Sequence, residues 1–163
     1  MKILPFIVPF FWIQISFAGE ADPHLCRGQE IKIAGCQLAE TKARLLSFCA
    51  TSDRKTIFYR FGSRSNLEME QIFTSENPLH RWVDKATYTT YLGFRVSAYS
   101  YVFGVPQETF GARAFIGVEK NQEEIMSRLC TQNSFGEKQL RSKSIREADD
   151  DNIRNNNFIF PPH

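Results

Sequence analysis

From Ile57 to Val118 apolar residues return at every second position, and this period commits the chain to β-strands. Ile57, Tyr59 and Phe61 alternate with Thr56, Phe58 and Arg60. Leu67 and Met69 alternate with Glu68 and Glu70, the pattern of a half-buried strand with a solvated acidic face. Residues 86–96 are rich in Thr and Tyr, with Tyr88, Leu92, Phe94 and Val96 on one face and Tyr91 and Arg95 on the other. Tyr99, Tyr101 and Phe103 alternate with Ala98, Ser100 and Val102, and Ala114, Ile116 and Val118 with Arg113, Phe115 and Glu119. Turn signals separate these runs at 51–55, 62–66, Asn77-Pro78 and Gly104-Val105-Pro106. Gln37 to Arg44 has the propensity to start a helix, and Glu123 to Leu129 fits a short helix or a final strand equally well. About six short strands at this spacing predict a mainly β fold, a small antiparallel β-barrel or sandwich with a short helix and an irregular C-terminal tail. No ten-residue helical pattern separates the strands, which argues against a parallel α/β fold.

Residues 1–18 read as a secretory signal peptide: Lys2, an apolar run, and small residues Ser16 and Ala18 before the expected cut. The run is short for a bilayer span and no basic cluster follows it, so stable membrane insertion after cleavage is not expected. Residues 19–44 then form an N-terminal arm, 45–133 the β-domain and 134–163 a polar tail. The tail carries Asp149-Asp150-Asp151 and Asn155-Asn156-Asn157, too little apolar surface to order itself. Phe158-Ile159-Phe160 restores apolar character and could dock its end. The whole chain has net charge +2, and removal of Lys2 leaves +1, a balance that points away from nucleic acid. The expected location is periplasmic or secreted.

Four cysteines, Cys26, Cys36, Cys49 and Cys130, all fall after the signal segment, and an even count in an exported chain reads as two disulfides. Of the three possible pairings the favoured one is Cys26–Cys36, closing a short N-terminal loop, with Cys49–Cys130 tying an early element to the last ordered one. Zinc sites show paired close spacings that these cysteines lack, so neither metal nor other cofactor is expected.

Catalytic patterns are missing. The sequence holds no G-x-S-x-G elbow and no H-E-x-x-H. Glu68 and Glu70 read as a solvated strand face rather than a glycosidase pair. The Asp149–Asp151 run lacks the Gly and Glu of a calcium loop. The chain is therefore read as a non-enzyme.

Thirteen aromatic residues lie between Phe58 and Phe115, more than one face of each strand can hide. Tyr91, Arg95, Tyr99 and Tyr101 form a candidate contact patch, since exposed Tyr beside Arg suits protein surfaces that bind. Two loops join it: Asn77 to Trp82, carrying His80, Arg81 and Trp82, and Pro106 to Gly111, carrying Gln107, Glu108 and Phe110. Inward aromatics would instead suit a small-ligand or carbohydrate-binding barrel.

Leu46-Ser47-Phe48-Cys49, followed by Lys55-Thr56-Ile57-Phe58-Tyr59-Arg60-Phe61-Gly62, resembles the opening of periplasmic lysozyme-inhibitor domains of the C-type inhibitor class. The resemblance spans roughly Leu45 to Cys130. It implies a small β-barrel closed by a disulfide that matches Cys49 and Cys130, and a loop that enters an enzyme cleft. Asp84 to Tyr88 is the stretch nearest to that loop. Immunity proteins that neutralise toxins in the periplasm share this make-up. The expected partner is a hydrolase or toxin whose active site the domain occludes.

Overall fold

The computed structural model describes residues 23–162; the expected signal peptide lies outside them. The fold is mainly β, as the alternation predicts, and is built from two open sheets packed face to face. The first is a four-stranded meander of β1 (Ile31–Gln37), β2 (Leu45–Ala50), β3 (Ile57–Gly62) and β4 (Leu67–Phe73). The second contains β5 (Leu79–Asp84), β6 (Thr89–Val96), β7 (Tyr99–Val105), β8 (Phe115–Lys120), β9 (Glu123–Leu129) and β10 (Ile145–Ala148), in the order β10-β5-β6-β7-β8-β9. All pairs are antiparallel except β10, which lies parallel to β5. The one helix among the described residues, α1 (Asp150–Asn155), follows β10.

The core forms where the inward sides of the two sheets meet. Tyr59 packs on Phe48 at 5.2 Å and on Phe94 at 4.8 Å between ring centroids, and Phe73 meets Phe94 edge-on at 5.1 Å. These rings fill the interior between the sheets, together with Leu46, Leu92, Phe103 and Ile116. A fully buried aromatic or aliphatic side chain contributes about 1.5–3 kcal/mol, so this layer is the main source of stability.

Two strands sit where the sequence points elsewhere. β1 occupies part of the expected irregular arm, and Leu38 to Arg44 is a turn rather than a helix, closed by Leu38 N donating to Arg44 O at 2.8 Å. Pairing with β2 overrides helix propensity here. A Cβ at Gly35 would stand 2.7 Å from Leu46 O, so the close approach of the two strands requires glycine. The second is β5, which replaces the expected Asn77–Trp82 loop. Its alternation is hidden because a charged residue, Arg81, occupies an inward position. Glu123 to Leu129 resolves as a strand, the edge strand β9.

The cysteine pairing differs from the favoured one. Cys26 bonds Cys49, and Cys36 bonds Cys130. Strand parity is the reason. On β2, Leu46 and Phe48 point into the core, so Cys49 points outward, where it meets the arm. Cys36 lies opposite Leu46 and points inward, so it reaches Cys130 and links the sheets through the core. Two disulfides fit an oxidising compartment outside the cytoplasm. No helix among the described residues is long and apolar enough to cross a membrane.

The arm covers the outer face of the first sheet. Leu25 N donates to Ser47 Oγ at 2.8 Å. The Arg60 guanidinium, almost fully buried, forks onto Glu30 at 2.5 and 2.8 Å, reaches Glu70 at 2.5 Å and donates to Leu25 O at 3.2 Å. Glu70 is thus not simply a solvated strand residue, and Glu68 pairs with Arg44 at 3.1 Å. Burial works to raise the Glu30 carboxyl, but the hydrogen bonds and charge of Arg60 prevail and hold it below the usual glutamate range.

The expected unordered tail is also a correction. Leu140, Ile145, Ile153 and Phe160 are buried, which is enough apolar surface to fix the segment. β10 extends the second sheet. In the acidic triplet, Asp149 caps α1 by accepting from Asn152 N at 3.0 Å, and Asp150 accepts from the Trp82 indole at 2.8 Å.

Candidate functional site

The ten residues expected to bind a partner do not form one surface. Trp82, Tyr91 and Arg95 lie on the outer face of the second sheet, beneath the end of the tail. Trp82 and Tyr91 stack at 4.5 Å, and Phe160 packs 5.8 Å from Trp82. Arg95 Nε donates to Pro161 O at 2.9 Å. Tyr99 and Tyr101 lie on the opposite, inward face, where Tyr101 stacks on Phe94 at 4.8 Å. The period-two alternation itself divides this group, since Tyr91 pairs with Gly104 whereas Tyr101 pairs with Phe94.

His80 is half-buried on β5. Burial first, then the positive charges of Arg146 and Arg95, hold its imidazole below the usual histidine range. Its Nδ1 is buried without a hydrogen-bond partner. Arg81 serves the fold: it pairs with Glu147 and donates to Lys138 O at 2.6 Å and Leu140 O at 2.9 Å, pinning the 138–140 segment.

Gln107, Glu108 and Phe110 do come together, on the loop from β7 to β8. This loop is braced along its first half. Asn133 Nδ2 donates to Pro106 O at 3.3 Å, and Glu108 pairs with Lys138. Within it, Thr109 N donates to Gln107 O at 2.8 Å and Ala112 N to Thr109 O at 3.0 Å. Gly111 takes a φ of +81°, which returns the chain toward β8. Phe110 at the tip has a relative exposure of 109 %, so its ring touches almost nothing of its own chain. Phe135, also exposed, stands two residues beyond Asn133.

Beside this loop runs an open groove of about 870 Å³. Val83, Thr90, Val105 and Pro106 line it, at the end of the second sheet, with the 136–141 segment across from them. Tyr88 stands at the groove, exposed, in the turn from β5 to β6 with φ 53°. The alternation places Tyr88 on one strand face with Leu92, Phe94 and Val96. The signal against that is Asp84, whose carboxylate accepts from Ala86 N at 2.9 Å and Thr87 Oγ1 at 2.9 Å, an Asx-type turn.

The groups that could supply a thiol or a metal ligand are engaged elsewhere among the described residues. All four cysteines are bonded. One candidate ligand group, Cys26, Glu30 and Cys49, has its two sulfurs joined to each other and its carboxylate held by Arg60, so it offers no thiolate. Glu68 and Glu70 are each tied to an arginine. Comparison with protein-family models, with characterised proteins and with solved structures finds no match to this chain.

Proposed function

We propose that the protein is an exported, non-enzymatic binder that inserts its Pro106–Gly111 loop into a partner protein and blocks it, as an inhibitor or immunity protein acts on a hydrolase or toxin in the periplasm or outside the cell. The observation that carries this reading is Phe110. A large apolar ring held fully in solvent at the tip of a braced loop adds nothing to folding and gains free energy only when a partner covers it, and aromatic anchors of this kind dominate protein interfaces. The bracing lowers the entropy lost on binding. Val83, Tyr88 and Phe135 supply further exposed apolar surface close to the loop.

The test is capture from envelope and secreted fractions with the oxidised protein as bait, run in parallel with a Phe110→Ser bait. The expected result is a hydrolase or toxin whose activity falls at stoichiometric ratio and whose affinity drops at least about 30-fold for Phe110→Ser. Equal capture by both baits would rule out the loop as the anchor.

A further inference from the structure

Two segments distant in sequence bring four cations to one depression of about 490 Å³. Arg54 and Lys55 come from the turn between β2 and β3, and Arg141 and Lys143 from the stretch that leads to β10. The backbones are fastened to each other: Ser142 Oγ donates to Arg54 O and Ser144 Oγ to Lys55 O, each at 2.5 Å. Ser144 is fully buried. The fold therefore holds the two basic segments side by side along one depression.

Local acids neutralise only part of this charge. Lys55 pairs with exposed Asp53 at 3.6 Å, and Arg54 reaches exposed Glu137 only at 4.0 Å. Arg141 and Lys143 make no ion pair among the described residues. Arg54 and Arg141 also line the neighbouring groove, so the basic depression and the groove wall of Val83, Val105 and Pro106 are one continuous surface; the three carboxylates that also line the groove, Glu108, Glu137 and Glu147, face Lys138, Arg54 and Arg81.

We infer that this surface receives an acidic segment of the partner protein, with carboxylates at Arg54, Lys55, Arg141 and Lys143 and apolar side chains along the groove. A polypeptide offers both kinds of group in series on one flexible chain. Nucleic acid would demand a far larger charge excess than the net +2 of the whole chain. The inference rests on the protein-binding reading and names the chemistry of the partner. Paired positive and negative surfaces speed association and reject wrong partners, which is what a blocking protein needs.

Hexaglutamate is the probe, titrated into the isotope-labelled oxidised protein and followed by amide shifts in NMR. Saturable shifts confined to 53–55 and 141–144 are expected, with affinity reduced at least tenfold in Arg141→Glu/Lys143→Glu. All four side chains are at the surface, so these variants should fold as the native protein does. Three results would overturn the inference: no saturable shifts, shifts scattered over every basic residue, or inorganic phosphate bound as tightly as hexaglutamate. Phe110→Ser separates the two proposals. It should leave the hexaglutamate titration unchanged while lowering affinity for the partner at least about 30-fold.

Discussion

Replacing Arg60 with Met gives the sharpest test of how the arm is held. The Arg60 guanidinium bonds both Glu30 and Glu70, and its side chain is 3 % exposed against 14 % for Glu30 and 32 % for Glu70. Met keeps much of the volume and the contact with the Phe58 ring, which the guanidinium covers at 4.5 Å. What is lost is the counter-charge, together with the bond to Leu25 O. Removing one member of a buried ion pair costs about 3–5 kcal/mol; the partial exposure of Glu70 puts the expectation near the lower end, about 3 kcal/mol at pH 7. The pH dependence supplies the sign. In the native protein Glu30 has a lowered pKa, so its contribution is fully present above the ordinary value of 4.5 and is lost as pH falls through the lower folded value. In Arg60→Met, burial is opposed only by the Arg27 backbone N–H, which donates to Glu30 at 2.7 Å, and by the Arg27 charge, so the carboxyl rises from its native position. Glu30 then protonates in the folded variant at a higher pH than in the native protein, and the deficit between them shrinks on acidification. Urea unfolding at several pH values measures both. A deficit below about 1 kcal/mol, or one that grows on acidification, would refute the account. Adding Glu30→Gln and Glu70→Gln to Arg60→Met should recover much of the loss at pH 7, because no uncompensated carboxylate remains.

Phe160→Ala should cost about 3 kcal/mol and free the tail, seen as a change in the emission of Trp82, the only tryptophan among the described residues. Gly104→Ala places a Cβ 2.3 Å from the Phe115 ring, so the ring must turn away; NMR of the aromatic protons would show it, and an unmoved ring would contradict the packing. A non-reduced digest should release Cys26–Cys49 and Cys36–Cys130 peptides, and in the chain-entropy model loss of the second, whose cysteines have a sequence separation of 94, costs about 4–5 kcal/mol. Phe110→Ser should leave the unfolding midpoint within about 0.5 kcal/mol of native, because that ring packs on nothing.

The alternation of apolar residues from Ile57 to Val118 determines most of the strand content, because period two is a local property that any strand displays before it has a partner. The hairpin turns at 51–55 and 62–66 are legible for the same reason. β5 is not, since Arg81 sits inward and is neutralised only by Glu147 and two carbonyls brought from the tail. The candidate site divides along the same line. Pro106 to Gly111 is a visible loop, and the structure adds only that Asn133 and Lys138 brace it. The Tyr and Arg residues of β6 and β7 look like one patch in sequence, but parity places Tyr91 and Tyr101 on opposite faces, and the tail covers the first.

The sequence alone determines a β-protein with four cysteines and an exposed loop aromatic, since composition, period and turn chemistry act over a few residues. Which cysteines meet, which carboxylates are neutralised, and that Arg54 and Arg141 share one surface are decided by tertiary structure. Those contacts join residues separated by 23 to 94 positions, and no local propensity carries information over such distances.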